Sequence, residues 1–194
     1  MTKETIIQKA LILFAYKGYE GTSMEEIAQD VGIKKASLYS HYAGKEIILR
    51  EVFEKVLKEY SDYLSGLITQ FAGVSIRERL LNIFYNYVLY FTNEKMMNFW
   101  IKIYLSPPDF IKKEIMKRTY KIEMDFVKKL YVIFRQGIID KNLKRQSAWN
   151  IVTAFYYMML GFGMTAAFYK ENNLKKSIEG CLDVFWNGIK YQSN

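Results

Sequence analysis

TSMEEIAQDVGIKKASLYSHYAGK, residues 22–45, decides how this chain folds. Ser23 is followed three residues later by Glu26. In that S-x-x-E arrangement each side chain satisfies a free backbone N–H at a helix start. A helix opening there carries Ile27, Ala28 and Val31 and ends before Gly32, where glycine takes the turn. A second short helix then covers about Lys35 to Tyr42. Ala28, four residues before Gly32, is small enough to let the second helix cross the first closely. Ile27, Val31, Ile33 and Leu38 form the apolar set that pins the pair. Helices this short do not hold by themselves, so a preceding helix must support them.

That helix runs from about Lys3 to Tyr16. Ile6, Ile7, Ala10, Leu11, Phe14 and Ala15 recur on one face, and the helix stops at Gly18. A fourth begins near Lys45 and reaches about Ile68, with Leu49, Val52, Phe53, Val56, Leu57, Tyr60 and Leu64 in one stripe. After Gly73 the pattern predicts helices over Ile76–Phe91 and Lys95–Leu105. Pro107 and Pro108, the chain's two prolines, break it there. A long helix follows from Asp109 to about Gln136, closed by Gly137. Two last helices cover 146–169 and 174–191. The expected fold is all-α with about nine helices. We expect residues 1–46 to form a three-helix helix-turn-helix domain, joined by the long fourth helix to a larger helical domain, residues 47–194.

Composition excludes several classes. One cysteine, Cys181, makes neither an internal disulfide nor a Cys-based zinc site. One histidine, His41, excludes an H-E-x-x-H zinc site and the paired Glu-x-x-His of di-iron bundles. No G-x-S-x-G elbow and no phosphate-cradling glycine loop is present. We expect no catalysis, no metal site and no cofactor. Lys3 and Lys9 precede a short apolar run, Ala10–Tyr16, but Lys17 ends it and no small-residue cleavage site follows, so a secretory signal is not expected. The expected location is the cytoplasm.

The net charge of +8 suggests an anionic partner. Residues 1–60 nevertheless hold nine Lys/Arg and nine Asp/Glu, and the excess lies further on, in Lys112, Lys113, Lys117, Arg118, Lys121, Lys128 and Lys129. That run reads as a solvated face. A local pattern has to locate the DNA-binding end. Lys34, Lys35, Ser37, Tyr39, Ser40 and His41 project from the second short helix, Lys45 follows, and no acidic residue occurs between Asp30 and Glu46. A helix of this length fits the major groove, and short side chains let it approach base edges. Lysines and hydroxyls suit phosphate oxygens, which position a protein without reading sequence.

The segment resembles the DNA-binding domain of the TetR family of bacterial transcriptional regulators over roughly residues 5–50. The resemblance is carried by Phe14, Gly18-Tyr19, Thr22-Ser23-Met24, Ile27-Ala28, Val31-Gly32-Ile33, Ser37-Leu38-Tyr39, His41-Tyr42 and Lys45-Glu46. Tyr42 departs from the family's usual Phe. The resemblance implies base-edge contacts from Lys35, Ala36, Ser37 and Ser40. It implies phosphate contacts from Tyr39, His41 and Lys45, and from Ser23 or Thr22 at the preceding helix start. Lys34 joins this set as an outward lysine. The plainer alternatives are that Tyr39 and His41 pack or cap the small domain and that the lysines are merely solvated.

Residues 151–169, IVTAFYYMMLGFGMTAAFY, contain no charge over nineteen positions, the length that flags a membrane span. Thr153, Tyr156, Tyr157, Gly161, Gly163 and Thr165 weaken its hydrophobicity, while Gly161 and Ala166 or Ala167 suit a close-packed helix interface. In the TetR family the last two helices pack against those of a second subunit as a four-helix bundle. We therefore expect a homodimer through 146–169 and 174–191, with no membrane contact. The alternative is a membrane-associated or protein-binding helical module without operator specificity. Dimerisation has a motive: two reading helices about 34–36 Å apart engage two half-sites of a double-stranded, palindromic operator. The resemblance further implies that residues 47–194 form the helical ligand-sensing and dimerisation domain of a repressor released by a small molecule. The expected pocket, for an apolar or aromatic effector, draws on Phe84, Tyr87, Phe91, Phe99, Trp100, Tyr104 and Tyr120. An aromatic stripe at helical spacing is otherwise core. Glu94, Glu123 or Asp125 would counter a cationic ligand if they are not simply solvated.

Overall fold

The computed structural model describes residues 3–169 and 173–191, and for 167–169 the backbone alone. Residues 1–2, 170–172 and 192–194, which include the outer ends of both expected domains, lie outside the described residues, as does the side chain of Ala167.

Nine helices occur among the described residues: α1 (Lys3–Lys17), α2 (Met24–Val31), α3 (Lys35–His41), α4 (Lys45–Gln70), α5 (Ile76–Phe91), α6 (Glu94–Leu105), α7 (Asp109–Ile139), α8 (Ala148–Tyr169) and α9 (Leu174–Ile189). An isolated antiparallel bridge joins Leu143 and Lys190. The expected all-α class holds, and most helix ends fall within two residues of the sequence reading.

Gly137 departs from that reading. It lies inside α7, which continues to Ile139, and the chain turns at Lys141 with φ of +59°. The glycine meets a packing demand instead: a Cβ there would collide with Ile76 and come within 2.9 Å of Leu143 Cδ1. Its carbonyl accepts from Asn142 and Leu143 N–H at 2.9 and 3.0 Å, closing the helix end from within.

The chain divides into two compact units. The first comprises residues up to Ser61 together with Glu94–Thr119, and the expected domain boundary near residue 46 falls inside it. Here α1 packs on α2 and α6, and α2 on α3. Ile6, Ala10, Phe14 and Ala15 of α1, Ile27 and Ala28 of α2, and Leu38 of α3 are all buried. So are Phe99, Trp100 and Ile103 on α6. The short helices thus gain the support they lack alone. The second unit comprises Asp62–Asn93 and the residues from Tyr120 onward. In it α5 packs on α8 and α9, and α8 on α9. Phe84 and Tyr87 of α5, Phe126 and Phe134 of α7 and Phe155 of α8 fill its core. Gly163 lets α8 approach α5, because a Cβ there would sit 2.9 Å from Phe91 Cδ2. Gly161, expected at a helix interface with a second subunit, has no atom of this chain within 4 Å of a Cβ placed there.

Candidate nucleic-acid interface

The capping box forms as the spacing predicts. The Glu26 N–H donates to Ser23 Oγ at 3.2 Å, and the Ser23 N–H donates to Glu26 Oε2 at 2.8 Å. Lys17 Nζ donates to the same carboxylate at 2.7 Å. That hydrogen bond first, then those from Ser23, holds the Glu26 carboxyl down at about 2. At the other end of α2, Gly32 adopts φ of +79° and the Ile33 N–H donates to Ala28 O at 2.9 Å, a glycine-based helix stop. These two ends fix where α3 starts.

Leu38 is the one buried residue of α3. It anchors the helix on α2, so Lys35, Ala36, Ser37, Tyr39, Ser40 and His41 all face outward, and Lys34 caps the start with no side-chain bond of its own. The side chains of Lys34, Tyr39 and His41 make no hydrogen bond or ion pair among the described residues, so none of those residues competes with an external acceptor. The Ser40 hydroxyl donates to Ser37 O at 2.7 Å. Lys35 Nζ lies 3.3 Å from Glu25 Oε2. Glu25 is a neighbour the sequence did not suggest, because ten residues and a turn separate the two.

Two residues assigned to phosphate are used inside the domain. Thr22 is buried and its hydroxyl donates to Gly18 O at 2.8 Å. Lys45 Nζ donates to Tyr19 O at 2.6 Å and Thr22 O at 2.7 Å, closing the turn between α1 and α2. Ser23, although its hydroxyl serves the cap, remains exposed at the start of α2. Tyr42, which stands in for the family's Phe, is buried and its hydroxyl donates to Glu51 at 2.8 Å. Burial and that carboxylate push the phenol well above its usual range.

Behind this face, Arg50 of α4 donates to Glu114 at 2.6 Å and to Phe110 O at 3.2 Å, and the Phe110 ring meets Tyr19 at 5.3 Å. A crevice lined by Phe14, Tyr19, Phe99, Lys102 and Ile103 has room for about one water, which is too little for an effector.

The expected sensor aromatics divide between the units. Phe99, Trp100 and Tyr104 belong to the first, where Trp100 contacts Tyr60 at 5.5 Å and Tyr104 at 5.8 Å. Phe84, Tyr87, Phe91 and Tyr120 belong to the second. There Tyr87 stacks on Phe126 at 5.9 Å, Phe84 meets Phe162 edge-on at 5.2 Å, and Tyr120 is exposed. The Tyr156 hydroxyl donates to Glu123 at 2.9 Å, and Asp125 pairs with Lys128.

No charged residue occurs in α8, and Asn150, Ala154, Tyr157, Gly161, Met164 and Thr165 are exposed along it. On α9, Gly180, Val184 and Gly188 are exposed at four-residue intervals. Among the described residues no helix is long and apolar enough to cross a membrane.

Comparison with known proteins agrees with this geometry. Residues 6–52 match the family model for bacterial regulatory proteins of the tetR family. The chain is 27% identical over 188 residues to IcaR of Staphylococcus epidermidis, the HTH-type negative transcriptional regulator of the biofilm operon icaADBC. That match covers 94% of this chain and 98% of the relative. Among solved structures, a protein from Mesorhizobium loti assigned to the TetR-family regulators superposes with a TM-score of 0.76 at 20% identity, covering 98% of this chain and 100% of the other. The TetR-family regulator PfmR of Thermus thermophilus gives 0.67 at 19% identity, covering 100% and 98%.

Proposed function

We propose that this chain, whose residues 6–52 match the family model for bacterial regulatory proteins of the tetR family, is a repressor binding a palindromic operator as a homodimer and released by a small molecule. The observation that carries the DNA reading is the outer face of α3: Leu38 alone is buried, and no acidic residue lies on the helix. Lys35, Ala36, Ser37 and Ser40 are the proposed base-reading positions, and Lys34, Tyr39, His41 and Ser23 the proposed phosphate contacts. Thr22 and Lys45 serve these contacts by fixing the backbone between α1 and α2. Repression over activation is favoured by the IcaR relative, a negative regulator by its name.

The dimer reading rests on α8 and α9. A 22-residue helix without a charge, with Tyr157 64% exposed beside Ala154, Gly161 and Met164, leaves a bare apolar stripe that water does not favour. The small residues Gly180 and Gly188 flank an exposed Val184 on α9 and admit a close neighbour. A second copy covers both stripes by two-fold symmetry, which places two α3 helices on one duplex. The effector is an apolar or aromatic molecule that rearranges the ring cluster around Phe84, Tyr87, Phe91 and Phe126. α4, which has residues in both units, is the proposed route from the effector to the operator. A change in the distance between reading helices then costs operator affinity.

Selection of bound fragments from random duplex DNA by the purified protein tests this. Recovery of a palindrome with two half-sites supports a dimeric regulator. Weak, steeply salt-dependent binding without sequence preference overturns it.

A further inference from the structure

Lys35 opens the outward face of α3, and its ammonium is already engaged by Glu25 at 3.3 Å from the neighbouring helix. Both side chains are half exposed, so the pair stands on the surface that α3 presents. No acidic residue of α3 itself lies in its first turn, and the N-cap Lys34 supplies no side-chain bond. Glu25 is therefore the carboxylate that fixes where this ammonium sits. An ammonium carries three donors. At 3.3 Å the ion pair with Glu25 occupies at most one of them and leaves two, which is what the paired acceptors O6 and N7 on a guanine edge require. A lysine without such a partner has four rotatable bonds and a nearby field of phosphates, which attract it regardless of sequence.

From this geometry we infer that Glu25 is a positioning residue for base reading: it holds Lys35 on base edges and away from the DNA backbone. The inference rests on the reading of α3 as the recognition helix. The pair survives in the operator complex, where the lysine's ordering is already paid for before DNA arrives. On an unrelated duplex, Lys35 reaches a phosphate only by leaving Glu25, so that contact gains little. Glu25 thus lowers background binding and sharpens one base position in each half-site.

The test uses the full-length wild-type protein, E25Q, K35A and the double variant. Each is titrated against the duplex selected by the wild type, single-base variants of it, and a scrambled duplex of equal length, over a range of salt. For E25Q the scrambled duplex should bind about two- to fivefold tighter, the coupling of an exposed ion pair. Its salt slope should steepen by about 0.9, one added phosphate. Operator affinity should not rise in step, and the preference flattened by E25Q should be the one flattened by K35A. In the K35A background E25Q should have no further effect.

An operator-to-scrambled ratio for E25Q equal to that of wild type overturns the inference. So does an E25Q effect of the same size with or without Lys35, which would make Glu25 an ordinary repelling charge. If K35A itself matches wild type on every duplex, the reading of α3 at this position fails first, and the inference with it. Melting curves of E25Q separate these outcomes from a loss of folding, which neither exposed side chain is placed to cause.

Discussion

The ammonium of Lys45 donates to the backbone carbonyl of Tyr19 at 2.6 Å while lying 4.0 Å over the centre of the same residue's ring. A second bond, to Thr22 O at 2.7 Å, closes the loop between α1 and α2 against the start of α4. Charged hydrogen bonds of this kind contribute about 1–2 kcal/mol each when part-buried. Lys45→Ala removes both bonds and should therefore lower the unfolding free energy by about 2–4 kcal/mol. It should weaken DNA binding while leaving the salt slope as in wild type. A slope shallower by about 0.9 with an unchanged melting curve would instead make Lys45 a direct phosphate contact.

Tyr39 offers the opposite behaviour. The residue is 47% exposed and its hydroxyl has no partner among the described residues, so the fold gains little from it. Tyr39→Ala should leave stability within about 0.5 kcal/mol of wild type. Affinity for every duplex should fall about two- to tenfold, the worth of one net hydrogen bond. Ser37→Ala should change which sequence is preferred more than it changes affinity for unrelated DNA. Titrations against the selected and scrambled duplexes distinguish the two patterns.

Val184 faces outward from α9, 77% exposed, with Gly180 and Gly188 on either side of it. Val184→Asp costs the single chain little. In the proposed dimer it would bring a carboxylate from each copy into an apolar interface, so that dimer should weaken by about tenfold or more. Sedimentation equilibrium reads this directly, and operator affinity should fall with it. A variant that remains as dimeric as wild type, with its melting curve intact, would remove α9 from the interface.

Local signals were readable in advance and tertiary ones were not. Ser23 with Glu26, the left-handed Gly32 and the single inward Leu38 are set by neighbours within ten residues, and each behaves as its spacing predicts. Lys45 was legible as an outward lysine near the recognition helix. Its bonds go to carbonyls 26 and 23 residues earlier, and periodicity carries no information at that range. The aromatic stripes of α5 and α6 follow the same logic. Helical spacing identifies Phe84, Tyr87, Phe99 and Trp100 as one-sided, but not that the first two belong to one compact unit and the last two to the other. Gly137 has the spacing of a helix stop, since glycine often ends helices, whereas in the fold Ile76 and Leu143 crowd the position where a side chain would stand.

Arg118 of α7 meets Glu54 of α4 through both guanidinium nitrogens, one bond measuring 2.7 Å. It also reaches Glu114 at 3.2 Å, and its guanidinium lies 5.7 Å from the Phe53 ring centre. The hydrogen bonding from Arg118 outweighs burial and holds the Glu54 carboxyl below its ordinary value of 4.5. A carboxyl lowered in the folded state contributes stability that is fully present above that ordinary value. The contribution is lost as pH falls through the lowered one. Glu54→Gln removes the charge and keeps the shape. Its deficit against wild type should be about 0.5–1 kcal/mol at pH 7, the small figure reflecting that both groups are more than one-third exposed. As pH falls below about 4.5 and through the lowered value the deficit should shrink toward zero, because the wild-type carboxyl then becomes protonated in the folded protein as well. Urea midpoints at pH 7 and pH 3 measure both values, and an equal deficit at the two would assign the loss to packing against Phe53 instead of to charge.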